Sequence, residues 1–160
     1  MNNNLESFKE LLRQGMITNF ERDGYLTPVI FFFKDGQPVI GMIPPELLEN
    51  SMGKEVLASM LKKTCQEPNV LAAGIIMEAY GAKIDENSPN KDKITSGEIR
   101  VSELQEKQDI IVMQFSTPES EELIVYEVDC ENKKVGSLFG DKEMKGLEGL
   151  FSNFFTWNKN

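Results

Sequence analysis

The sequence predicts an α+β domain: a mostly antiparallel sheet of five to six strands flanked by helices, in the order α-β-β-α-β-β-β-(β)-α. Three observations carry this expectation. Apolar residues recur at helical spacing near the start, in the middle and at the end of the chain. Runs of β-formers fill most of the remainder. Short turn signals join most of these runs, and strands joined by tight turns pair antiparallel.

The first helix is set by Leu5, Phe8, Leu11 and Leu12, with Asn4 as a candidate N-cap and Gly15 as a candidate stop before a continuation toward Phe20. Asp23-Gly24 turns the chain. Leu26 to Phe33 and Pro38 to Ile43 are two strands around Asp35-Gly36, a hairpin signal because Gly accepts positive φ. Pro28 and Pro38 lack ladder donors, which places them at strand starts or on an edge. Pro44-Pro45-Glu46 opens a helical turn.

A second helix spans Ser51 to Cys65, with Val56, Leu57, Met60, Leu61 and Thr64 on one stripe, and Pro68 blocks its continuation. Val70 to Tyr80 has few polar residues and reads as a central strand covered on both faces. A long polar connection follows at 82–108, with a short helix near Gly97 to Lys107.

Asp109 to Ser116 and Glu122 to Cys130 are strands about the turn Thr117-Pro118-Glu119-Ser120, and Val135 to Phe139 adds a sixth. From Asp141 a last helix presents Met144, Leu147, Leu150, Phe151, Phe154 and Phe155. Gly146 and Gly149 weaken it by roughly 1 kcal/mol each relative to Ala. The chain is expected to form one domain over 1–160, and the element order is similar to the profilin-like and roadblock-like arrangement of a sheet between helices.

Composition narrows the chemistry. The 160 residues include no histidine, so no Ser-His-Asp or Cys-His relay and no His-ligated zinc site can form. Acid–base work would fall to carboxylates, Lys, Tyr or Cys. Cys65 and Cys130 form no C-x-x-C and read as reduced thiols of a cytoplasmic protein. The start of the sequence lacks the basic and apolar regions of a signal peptide, and no apolar run approaches the ~20 residues of a membrane span. The expected protein is soluble.

With 26 acids against 17 bases, the net charge is −9, and both halves of the chain are acidic. Direct nucleic-acid binding, which needs clustered Lys and Arg, is not expected. Phosphate-loop patterns fail, because Gly53-Lys54 is followed by Glu55 and Gly146 to Gly149 lies in an expected helix. No cofactor is expected.

Four groups of residues are candidates for function. Glu78 interrupts an apolar strand, on the face shared with Ile76 and Tyr80, where desolvation would raise its pKa. Asp85, Glu86 and Asp92, with Asn87 and Asn90, gather oxygen ligands in the polar connection, although the EF-hand spacing is not met. Glu119, Glu121 and Glu122 make an acidic hairpin tip suited to a basic partner. Phe155 and Trp157, behind Phe151 and Phe154, are partner-binding candidates.

Leu26-Thr27-Pro28, then Glu78-Ala79-Tyr80, then Lys107-Gln108-Asp109 running into Ile110-Ile111-Val112-Met113 form a pattern over roughly residues 24–130. It resembles a group of small uncharacterised bacterial and phage α+β proteins with no established activity. Those typically carry Leu-Pro-Pro, Glu-Ala-Trp and an Arg/Glu-rich step; here Thr, Tyr and Lys stand in the divergent places. The resemblance implies a compact domain and no particular chemistry.

These features together favour a non-catalytic interaction or assembly protein: a homodimer, an adaptor, a phage accessory or structural protein, or an inhibitor of a host protein. Its partner would be a protein or a second copy, in the cytoplasm, or on a virion if the chain is phage-encoded. One alternative is a carboxylate-dependent, metal-assisted hydrolase using Glu78. Another is an acidic decoy of a nucleic-acid-binding protein.

Overall fold

A computed structural model describes residues 2–81, 108–138 and 144–145. The elements are α1 (Asn2–Asp23), β1 (Val29–Lys34), β2 (Gln37–Met42), a 3-10 turn (Pro45–Leu48), α2 (Ser51–Thr64), β3 (Val70–Gly81), β4 (Gln108–Ser116), β5 (Glu121–Asp129), β6 (Lys134–Leu138) and β7 (Met144–Lys145). The strands form one antiparallel sheet in the order β2-β1-β3-β4-β5-β6, and β7 also pairs with β5. This is the expected α+β architecture, a sheet flanked by helices.

The expected hairpin forms where Asp35-Gly36 stands. Both turn residues have positive φ (55° and 74°), the type I′ geometry whose twist matches that of the flanking strands. Lys34 and Gln37 close it. Pro38 sits on β2, the edge strand, as its missing donor requires.

Helix α1 runs through Gly15 without a break. Phe8, Leu12, Met16 and Phe20 recur every fourth residue and are all buried, and this tertiary contact outweighs the weak propensity of one glycine. The helix starts at Asn2, so Asn4 lies inside it rather than capping it. The Gly24 N–H closes its far end on the Phe20 carbonyl at 2.7 Å. The buried row packs on Phe31, Phe33, Ala72, Ile76, Ile111, Met113 and Phe115 to form the main core.

Helix α2 covers the opposite face, over Ile43, Val70, Ala73 and Ile75. Asn50 caps it, its side chain accepting from the Gly53 N–H at 2.7 Å. Its buried row is Gly53, Leu57, Leu61 and Cys65, with Ala58 alongside. The stripe expected from the sequence is therefore rotated, and Val56 and Met60 are exposed. The cause is Gly53: a Cβ there would lie 2.5 Å from the Leu47 carbonyl oxygen, so only glycine lets the helix approach that turn and choose this face.

β3 is central, as expected. Ala72 and Ile76 enter the α1 core, while Ala73 and Ile75 enter the α2 core. A third cluster of Ile110, Val112 and Val125 lies on the α2 side of β4 and β5.

The expectation of a helix from Asp141 is corrected at Met144–Lys145. These residues are extended and pair with Leu123 and Glu122. β6 covers only Tyr126 to Asp129 along that side of β5, and the backbone groups left at the start of β5 recruit 144–145 as a strand. The remainder of that helix, and the one near Gly97 to Lys107, lie outside the described residues. Among the described residues no helix is long and apolar enough to cross a membrane.

Candidate functional site

Two places on the described surface gather chemistry. The first is the end of the sheet where β3 and β5 finish and β4 begins. In the β3–β4 register Glu78 faces Ile111 and Tyr80 faces Asp109, so side-chain alternation puts Glu78 and Asp109 diagonally on the α1 face. Cys130 follows the last residue of β5 beside them. Glu78, Ala79, Asp109, Ile110, Val128 and Cys130 line a cavity of about 240 Å³.

The Glu78 residue is exposed overall, yet its carboxyl is pushed above the ordinary carboxylate range. Desolvation is the main cause, and the Asp109 charge adds to it. The Leu26 N–H, which Oε1 accepts at 3.2 Å, opposes the shift. Sequence reasoning placed Glu78 and its desolvation; it missed Asp109 and Cys130, because strand register across the 82–107 connection is not written in alternation.

Cys130 is held as the thiol. Desolvation, the charges of Asp109 and Glu78 and a hydrogen bond to the Asp109 side chain all raise its pKa. Burial alone pushes Cys65 up to about 12. Neither cysteine has the surroundings of an activated nucleophile. The group places one desolvated carboxyl, Glu78, beside a second acid and a thiol around one cavity. Among the described residues no group of three or more Cys, Asp and Glu is placed to hold a metal ion.

The second place is the β2 edge. All but one residue of β2 are exposed, and Val39, Ile40 and Met42 are 48%, 54% and 77% accessible. Beside it, Leu11, Leu12 and Met16 of α1 and Leu26, Val29 and Ile40 line an apolar groove of about 290 Å³. Leu11 is 63% exposed. From Gln37 to Pro45 the chain carries no ionisable side chain. Pro38 signalled the edge in the sequence, but the exposure of the apolar residues behind it did not show there.

The other expected site residues are dispersed. Glu122 is half-buried in an ion pair with Lys9 at 3.0 Å, Glu121 accepts from Ser116 Oγ at 3.4 Å, and of the acidic tip only Glu119 is exposed. Asp85, Glu86, Asp92, Phe155 and Trp157 lie outside the described residues. Compared with protein-family models, with curated proteins and with solved structures, the chain matches none.

Proposed function

We propose that this chain is a non-catalytic interaction or assembly protein that docks a protein partner, or itself, through the β2 edge and the groove beside α1. The observation that carries the reading is an uncharged apolar edge strand left exposed in a protein of charge −9. Edge strands are ordinarily blunted by charge or by Pro, because their backbone groups template pairing with another chain; here Pro38 removes one donor near the start of β2 and no charge stands on the strand. An edge without charge, next to an apolar groove, is suited to strand addition: the backbone supplies affinity and the groove selects side chains.

The net charge of −9 favours a protein partner over nucleic acid; the setting we propose is the cytoplasm, or a virion if the chain is phage-encoded. The test is affinity capture with wild type and Ile40→Lys. A partner or second copy held by wild type and released by the variant is the expected result, with unchanged far-UV circular dichroism. Equal retention by both would overturn the reading.

A second reading, a carboxylate-dependent hydrolase using Glu78, is favoured by the meeting of Glu78, Asp109 and Cys130 around one cavity. It predicts a hydrolytic activity that is lost in Glu78→Gln. The decoy reading is less supported, because Glu122 at the acidic tip is already engaged by Lys9.

A further inference from the structure

We infer that the occupant of the β2 edge is the same edge of a second copy, paired antiparallel about a twofold axis at Ile40. This inference rests on the docking reading above and names its partner.

The backbone supports it first. In a two-residue hairpin the closing pair, Lys34 and Gln37, is hydrogen-bonded, and bonded pairs then alternate along the ladder. Val39 and Gly41 therefore point their amides and carbonyls at β1. The Ile43 N–H, bonded to the Pro28 carbonyl at 2.8 Å, continues the same phase. Pro38, Ile40 and Met42 face outward. Among the described residues no strand pairs with this edge, which thus offers the Pro38 carbonyl and both backbone groups of Ile40 and Met42.

That set is self-complementary. With the axis at Ile40, the two Ile40 residues exchange both bonds, and each Met42 N–H meets the partner copy's Pro38 carbonyl. The residue without a donor falls opposite the last residue of the strand, so its lack costs one bond at each end and none in the middle. This register overlaps β2 from Pro38 through Met42. Moving the axis to Gly41 leaves only Ile40 to Met42 overlapped within the strand.

Charge and closure agree. Two chains of −9 repel each other, so a shared interface must keep acids off its centre, and β2 has no charge. Ile40 and Met42 lie on the α1 face, which brings them against the partner copy beside Leu11 and the groove. The far edge of the sheet is different: β6 is five residues long, its pairing is irregular, and Lys133 and Lys134 stand at its start. A β2-to-β6 contact would be head-to-tail and open-ended, whereas β2-to-β2 closes as a dimer.

The test is sedimentation across the micromolar range, with a register check by cross-linking. Wild type is expected to be dimeric. Ile40→Lys, at an exposed position, is expected to be a folded monomer by the same circular dichroism. In a Cys130→Ser background, mixing Val39→Cys with Gly41→Cys chains should form the mixed disulfide, since these residues face each other as a non-bonded pair. A wild-type monomer, a dimer that survives Ile40→Lys, or a disulfide between two Gly41→Cys chains in preference to the mixed one would each overturn the inference. A monomer that still captures another protein, sensitive to Ile40→Lys, defeats the second copy while leaving the docking reading intact. A monomer with no such capture defeats both.

Discussion

Replacing Gly74 by Ala is expected to be among the most damaging single-methyl changes in this sheet. Gly74 sits on β3 opposite Phe31 of β1 and Phe115 of β4. Because it has no side chain, the two rings close over it, with centroids 5.6 Å apart and planes 27° apart. Phe8 of α1 then caps both, 5.7 Å and 6.3 Å away. A Cβ on Gly74 would overlap the Gln114 carbonyl and lie 2.5 Å from Phe31 Cζ.

Ordinary carbon contacts lie near ~3.5 Å, so the ring must withdraw by about 1 Å, and β4 must shift locally as well. Overpacking of this kind costs roughly 1–3 kcal/mol. Weakening two flanking ladder bonds adds about 1 kcal/mol each. The expected loss is therefore about 3–5 kcal/mol, a large part of the ~5–15 kcal/mol typical of a domain.

Urea unfolding followed by far-UV circular dichroism measures it, with Gly15→Ala as the control. Nothing lies within 4 Å of a Cβ at Gly15, which is inside α1. There the same methyl should stabilise by about 0.5–1 kcal/mol. Two substitutions identical on paper thus carry opposite signs. A Gly74→Ala loss below about 1 kcal/mol would refute the reasoning from close approach.

Three other outcomes are expected. Glu78 holds its proton more tightly folded than unfolded, so the stability it contributes is present below the unfolded value of about 4.3 and is lost as pH rises through the folded one. Glu78→Gln should remove that downward slope of stability against pH, and parallel curves for the two proteins would argue against the desolvation. Lys9→Ala leaves Glu122 half-buried without its 3.0 Å partner and should cost about 1–3 kcal/mol, read by a double-mutant cycle with Glu122→Gln. Among the described residues the buried Gln114 Nε2 has no hydrogen-bond partner, so Gln114→Met should raise the unfolding free energy by about 1 kcal/mol, read by urea titration.

Local chemistry made some of this legible and tertiary chemistry hid the rest. The Asp35-Gly36 turn announces its hairpin because its φ demands are local, and the apolar run of β3 announces a central strand. The buried face of α2 could not be read, since it depends on how closely Gly53 approaches Leu47. The spacing of Met144 is helical, yet a length of β5 that β6 leaves unpaired draws it into a strand. The cluster at Glu78 follows the same logic. One member shows as a polar break in an apolar run, whereas Asp109 and Cys130 join it only through register.

Charge gives the sharpest separation between docking through a neutral strip and attraction by an acidic surface. If β2 pairs with β2, the contact itself contains no ion pair, and the long-range term is repulsion between two chains of −9. Salt shortens the screening length from about 30 Å at 0.01 M to about 10 Å at 0.1 M. Association should therefore hold or strengthen modestly as salt is added. An acidic decoy held on a basic partner must do the opposite, because its attraction is the term that salt removes. Sedimentation of wild type at low and moderate salt reads the sign directly. Dissociation on adding salt would exclude a neutral strand pair, since nothing at the β2 edge could respond in that direction.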